Sequence, residues 1–229
     1  MDRAYVICHM MTTIDGKISI EFEGNEAYEQ VGAVYDQMIF EQGQAYGCGR
    51  ATFQTDRSVD MTAYKNRAVT YEDKIQLPGK GEFLCVAFDR KGKLRWDSNI
   101  LEYAGHRSLI LEVLTEAVPP EVLAYYDDMH IPYMFAGKED FDPALFLQKL
   151  KEQYGVTTFM LCGGAEINAV FMDKDLVDEI SLVIGAAVDG TRDALTMTGS
   201  LQKQHFPKYF HIKEANILNG DGVLLRYVK

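Results

Sequence analysis

Proline and tryptophan are scarce in this chain, with 6 prolines and 1 tryptophan among 229 residues. Cationic side chains also fall short. There are 23 Lys and Arg against 34 Asp and Glu, a formal charge of −11. That deficit argues against a nucleic-acid backbone or an anionic membrane surface as the main partner, because phosphate binding there needs clustered Lys and Arg. It leaves phosphorylated small molecules open, since backbone N–H groups and one or two local cations hold those. No apolar run approaches the roughly 18 residues of a membrane span. The 4 cysteines (Cys8, Cys48, Cys85, Cys162) lie far apart with no CxxC pair. Buried reduced thiols are expected rather than zinc or a disulfide framework, and a cytoplasmic location goes with them. The opening MDRAYVICHMMTTID meets Asp2 and His9 too early for a secretory signal. Metal-ligand spacing among the histidines, a GxSxG elbow and a GxGxxG fingerprint are all missing.

What is present is ordinary globular composition, 47% apolar and 25% charged. Short apolar runs alternate with amphipathic stretches. Strands are expected over Tyr5–Met11, Ala45–Cys48, Phe83–Asp89, Ser108–Leu114, Ile131–Ala136, Thr157–Cys162 and Glu179–Val188. Val31, Val34, Tyr35, Met38 and Ile39 carry helix spacing within Asn25–Gln42. Pro119-Pro120 opens a helix through Met129, Asp142-Pro143 opens one that stops at Gly155, and a third runs Ala165–Met172. Arg50–Thr55 reads as a turn or two of helix, and Asp56–Gly81 as a long loop. After an irregular Thr191–Phe206, the strands Phe210–Leu218 and Gly222–Val228 flank Asn219-Gly220-Asp221-Gly222, which is hairpin chemistry. The fold class is α/β: a mostly parallel central sheet flanked by helices, with antiparallel C-terminal strands. With no linker or repeat, residues 1–229 read as a single domain.

Several segments can carry chemistry. In Phe159–Asn168 a buried strand runs into Gly163-Gly164 and a helix start. Glycine lets a backbone approach closely, and a helix amino end offers free N–H groups to phosphate. Tight packing alone explains the same glycines equally well. Gly47–Asp56 repeats the arrangement, with Thr52 and Asp56 either facing a ribose or phosphate or serving as caps. Asp15, in Thr13-Ile14-Asp15-Gly16-Lys17, is a proton donor or, more ordinarily, the Asp of an Asp-Gly turn. His9, inside an apolar strand, is a core histidine or a site residue.

With these pieces in order the sequence resembles the RibD-type reductase family, the NADPH-using reductase domain of riboflavin biosynthesis with a dihydrofolate-reductase-like fold. The anchors are Thr13–Ile18, Gly49-x-x-Thr52-x-x-x-Asp56, Gly163-Gly164 with Asn168, and Leu176-Val177-Asp178-Glu179 before a strand ending at Gly190. The resemblance implies that Thr12, Tyr28, Thr52 and Asp56 contact NADPH. It also implies that Gly163, Gly164, Ala165, Glu166, Ile167 and Asn168, on to Val170, hold its phosphates. The substrate side departs from the family. Its strand Lys aligns with His9, its helix Arg with Phe40, its Glu before the glycines with Cys162, and Ala63 falls at a further Arg position that Arg57 or Arg67 can fill. A buried polar pocket rejects misfits, so the substrate need not be the aminopyrimidine phosphate of that pathway.

The expectation is therefore an NADPH-dependent reductase. Hydride passes to an imine or carbonyl of a small molecule bound near His9, Phe40 and Cys162, with His9 or Asp15 as proton donor. The resemblance also implies a homodimer paired through the C-terminal region. A rival from another class is an NADP(H)-binding, non-enzymatic or regulatory protein that has lost the substrate pocket. A true dihydrofolate reductase is a weaker rival, for want of an acidic residue facing the pteridine.

Overall fold

The computed structural model describes residues 2–18, 25–53, 58–199 and 207–229. In chain order the elements are β1 (Tyr5–Thr12), α1 (Glu26–Gln42), β2 (Ala45–Gly49), 3₁₀ turns at Arg50–Phe53 and Met61–Tyr64, β3 (Phe83–Phe88), β4 (Ile100–Tyr103) and β5 (His106–Leu114). There follow α2 (Pro120–Asp128), β6 (Tyr133–Phe135), α3 (Pro143–Tyr154), β7 (Thr158–Leu161), α4 (Ala165–Asp173), β8 (Glu179–Ile184), β9 (His211–Ile217) and β10 (Val223–Val228). The chain divides into two compact units: Met1–Ala4 with Gly47–Thr157, and Tyr5–Tyr46 with Thr158–Lys229.

In the first unit β5 pairs in parallel with β3 and β6, and antiparallel with β4. One face of β3 and β5 buries Ala87, Ile110 and Leu114 against Val122, Leu123 and Tyr126 of α2. The sequence reading passed over β4, whose Ile100 and Leu101 are only half-buried and whose Glu102 and Tyr103 are exposed. The turn that pairs it with β5 uses Ala104 and Gly105, both at positive φ. The segment expected to be a loop without regular structure is firmly held. Asp73 accepts from the Phe135 N–H at 2.9 Å, from Lys149 Nζ at 2.7 Å and from Gln153 Nε2 at 2.8 Å. Lys74 adds a bridge to Tyr133.

In the second unit β1 lies between β7 and β8, parallel to both. β10 continues antiparallel to β8, and β9 antiparallel to β10. Asn25 caps α1 through the Tyr28 N–H, and α1 packs Val31 and Met38 with Val183 and Leu224. The strand expected to run to Val188 ends at Ile184. There the chain turns at Gly185, whose N–H donates to the Thr12 carbonyl at 2.8 Å. At the amino ends of the parallel strands Glu179, 1% exposed, is neutralised by Arg226 and by Lys213 at 2.9 Å.

Two carboxyls are buried in the first unit. Asp89 accepts from the N–H groups of Lys93 and Leu94. Glu112, fully buried on β5, accepts from Trp96 Nε1. Burial first, and then the nearby Asp89 charge, hold Glu112 well above the ordinary 4.5. The native state thus keeps a proton that the unfolded chain releases above pH 4.5. Stability from this group is full below that pH and falls as pH rises toward the native value. Glu112→Gln, which stays neutral, should gain stability relative to wild type between pH 5 and 8. Urea denaturation of both proteins across that range checks it, and a constant difference would mean that Glu112 is ionised when folded.

Candidate functional site

Parallel pairing puts the carboxyl ends of β7, β1 and β8 on one edge of the second unit, where open α/β sheets place their ligands. Three backbone features meet there. β7 runs into Cys162 and the cis peptide Gly163–Gly164, β1 ends on Thr12, and β8 ends on Ile184 before Gly185. The two glycines differ in kind. Gly163 has φ +93°, and a Cβ on it would stand 2.8 Å from Met10 Sδ. Its backbone and its neighbour both require glycine. Gly164 has φ −78°, open to any residue, and a Cβ there would meet nothing within 4 Å.

Gly164 is the N-cap of α4 and lacks a side chain to cap it. The first-turn residues Ala165, Glu166 and Ile167 therefore present a helix amino end with its partial positive charge. The Asn168 side chain is buried; its Nδ2 donates to the Met197 carbonyl at 2.7 Å. Its backbone N–H donates to Gly164 O at 3.1 Å.

Both faces of β1 are buried, and alternation sorts its residues. Met11 packs on the α1 face, as does His9 against Tyr35. Met10, and by alternation Thr12, stand on the face of Gly163 and Asn168. Tyr28, in the first turn of α1, lies on Gly185: a Cβ there would come within 2.4 Å of its ring. Thr12, Tyr28, Gly163 and Gly164 are thus gathered around one edge. Thr52 is exposed in the first unit, and Asp56 and Arg57 lie outside the described residues.

The substrate-side expectations need correcting. His9 is fully buried and stacked on Tyr35, with ring centroids 4.3 Å apart. Its Nε2 donates to the Tyr35 carbonyl at 3.0 Å, which leaves Nδ1 to accept from Ser181 Oγ at 2.9 Å. Burial pushes its pKa down to about 4. A neutral ring with both nitrogens engaged is a core histidine, placed to donate no proton. Asp15 is a turn residue. Its carboxylate accepts from Thr13 Oγ1 at 2.6 Å and from the Asp189 and Gly190 N–H groups at 3.1 and 3.0 Å. Those bonds bring its pKa to about 2, so at neutral pH it has no proton to give. Phe40 is buried edge-on to Tyr46 in α1's core contact rather than facing a ligand. Cys162 is half-buried at the end of β7, its Sγ 3.6 Å from Met160 O. Ala63 is exposed in the first unit, where Arg67 pairs with Asp128 at 2.8 Å.

A cation-rich cleft in the first unit went unread, although Arg90-Lys91-Gly92-Lys93-Leu94-Arg95 stands out in so acidic a chain. Lys91, Lys93 and Arg95, with Glu121, line a volume of about 400 Å³ there. Among the described residues no group of three or more metal-ligating side chains comes together, and no helix is long and apolar enough to cross a membrane.

The arrangement is that of an α/β protein with glycines and a helix amino end beyond its parallel strand ends. The family model of the RibD C-terminal domain matches residues 4–224, and the chain belongs to that family. A pyrimidine reductase-like protein from Corynebacterium diphtheriae superposes with a TM-score of 0.68 at 12% identity, covering 99% of this chain and 91% of that one. The riboflavin biosynthesis reductase Rib7 of Saccharomyces cerevisiae gives 0.61 at 15% identity, covering 99% and 90%. RibD of Acinetobacter baumannii gives 0.62 at 17%, covering 99% of this chain but 58% of that longer one. At such identities the likeness is one of fold, the dihydrofolate-reductase-like one. No curated protein sequence matches the chain.

His9 generates a pH signature. The unfolded chain takes up its proton near pH 6.5 while the native ring resists until about 4. Stability is therefore full above 6.5 and lost as pH falls, by up to roughly 3 kcal/mol. His9→Gln should lack that share of the acid loss. Denaturation midpoints at pH 7 and 4.5 for both proteins test it, and parallel losses would mean that His9 is protonated in the native state.

Proposed function

We propose that the protein is an NADPH-dependent reductase of the RibD type, acting on a small imine or carbonyl compound. Gly164 carries the reading. Its φ of −78° is open to any residue and nothing beyond its chain neighbours crowds it, yet it is glycine at the uncapped amino end of α4, with open space before it. A phosphate close to the backbone supplies the missing reason. The residues present fit the cofactor's diphosphate: N–H groups of the first turn of α4 would hold it, with Thr12 at the end of β1 and Tyr28 on Gly185 flanking the edge. The cation-lined cleft of the first unit is a further surface suited to an anionic group.

When bound, the nicotinamide supplies the hydride. The chain's part is to align the two reactants and exclude water. Reduction adds the hydride to carbon and a proton to nitrogen or oxygen. With His9 and Asp15 otherwise engaged, that proton is drawn from solvent. The burial of His9 and Phe40 at positions where the family resemblance implies cationic side chains favours a substrate other than a phosphorylated pyrimidine. The same burial supports the second reading, a dinucleotide-binding protein without turnover. Because one family match runs through both units, we take residues 1–229 as one domain. The exposed edge strand β9, with Ile212 and Ile217 uncovered, suits pairing with a second copy, and a cytoplasmic home agrees with the free cysteines.

Titration with NADPH and, separately, NADH tests the cofactor. NADPH should bind preferentially. Gly164→Ala should fold with stability within about 1 kcal/mol of wild type and bind NADPH roughly tenfold or more weakly. Equal affinity in the variant removes the α4 site from the reading. NADPH binding without consumption across carbonyl and imine panels moves the weight to the non-enzymatic alternative.

A further inference from the structure

The Thr13–Lys17 turn and Asn168 converge on one segment that the proposed chemistry does not use. Residues 189–199 leave the end of β8 as mostly exposed chain without helix or extended strand. The start is held on Asp15, through the Asp189 and Gly190 N–H groups. The middle follows the other limb of the same turn. The Ile18 N–H donates to Leu195 O at 2.9 Å, Lys17 forms an antiparallel bridge with Thr196, and Lys17 Nζ reaches Ala194 O at 3.4 Å.

The far end rests on α4. The Gly199 N–H donates to Ala165 O at 3.3 Å, and Asn168 Nδ2 to Met197 O at 2.7 Å. Ala165 and Asn168, three apart, share one face of the first helical turn. Asn168 is 0% exposed, its amide would lie 3.6 Å from a Cβ on Gly163, and its Oδ1 has no hydrogen-bond partner among the described residues. Burying an amide with an unpaired oxygen is unfavourable, so packing alone gives no reason for Asn here. The carbonyl it holds does. A segment tied by a few backbone bonds and one side chain opens locally at low cost.

We infer that residues 192–199 form a strap, and that Asn168 is the positioning residue that pins it beside the amino end of α4, so that the strap closes on a diphosphate bound there. Asp15 anchors the strap's near end, which gives the Thr-Ile-Asp-Gly-Lys turn a task other than proton transfer. Asn168 acts through the strap and does not itself touch the ligand. The inference rests on the dinucleotide reading for the identity of its ligand and on the bonds above for its mechanics.

The test is backbone hydrogen exchange at Gly199 and Ile18, with and without NADPH or inorganic pyrophosphate, in wild type, Asn168→Ala and Asp15→Asn. In wild type either ligand should slow exchange at Gly199. Without ligand, Asn168→Ala should exchange faster at both amides, and it should bind both probes roughly tenfold more weakly. Asp15→Asn should shift the same quantities in the same direction by less. An Asn168→Ala protein that binds NADPH as tightly, with the same protection at Gly199, overturns the strap and leaves the dinucleotide reading intact. Pyrophosphate binding with Gly199 protection, but no NADPH binding, overturns the dinucleotide reading and supports the strap. Binding of neither probe overturns both. Should Asn168→Ala fail to fold, Asp15→Asn decides: unchanged exchange and affinity there count against the strap.

Discussion

Everything at the candidate site depends on the parallel pairing of β1 with β7 and β8. Parallel strands bring like ends together, so the turns after Leu161, Thr12 and Ile184 share an edge however distant they are in sequence. The same pairing gathers the amino ends on the opposite edge, where the unit places its buried carboxylate, Glu179, with Arg226, Lys213 and the Tyr5 hydroxyl around it. Removing one partner from such a cluster leaves a charge uncompensated and is costly. The carboxyl edge is built in the opposite way, from glycines, backbone N–H groups and a helix end. Charge is neutralised where the strands start, and polar backbone is left available where they finish.

The glycines separate structure from ligand. Gly163 is demanded by its positive φ and by Met10 beneath it, so its presence says nothing about binding. Gly164 is demanded by neither. Gly185 is occupied from within, by the Tyr28 ring, and is a packing glycine that seats an aromatic side chain at the edge. Three glycines in similar strand-end settings thus stand in three different surroundings, and of the three Gly164 is the one that faces open space.

Much of the architecture was legible from sequence because the signals were local. Asn25, Asp142 and the Pro120 start mark helix ends that appear where the side chains can cap them or tolerate them. The failures were of another kind. β1 is buried on both faces, so alternation could not tell which of His9 and Met10 looks toward the glycine turn. That depended on α1 taking the His9 face. β4 earns its place by pairing with β5 more than by burying its own side chains, so it left little trace in hydropathy. The strand expected to continue to Val188 ends at Ile184, opposite Thr12, where its partner β1 also ends. Asp15 is the turn residue its Asp-Gly pair suggests, bonded to Thr13 nearby, but the Gly190 N–H it also holds is 175 positions away and the Met197 carbonyl held by Asn168 is 29. No local pattern reports such contacts.

The corrected roles of His9 and Asp15 also narrow the chemistry. A general acid must hold a proton near neutral pH and offer it toward the reacting atom. His9 holds one but gives it to the Tyr35 carbonyl; Asp15 has none to give. An edge that offers a helix amino end, with His9 and Asp15 engaged elsewhere, agrees with the proposed reaction, whose difficult step a cofactor carries and whose proton comes from water. Membership of a reductase family is what points to reduction, and in the reading proposed above an enzyme differs from a mere binder of the dinucleotide by whether a second molecule can be held against it. The side chains that would do so are not His9 or Phe40, which the core has already taken.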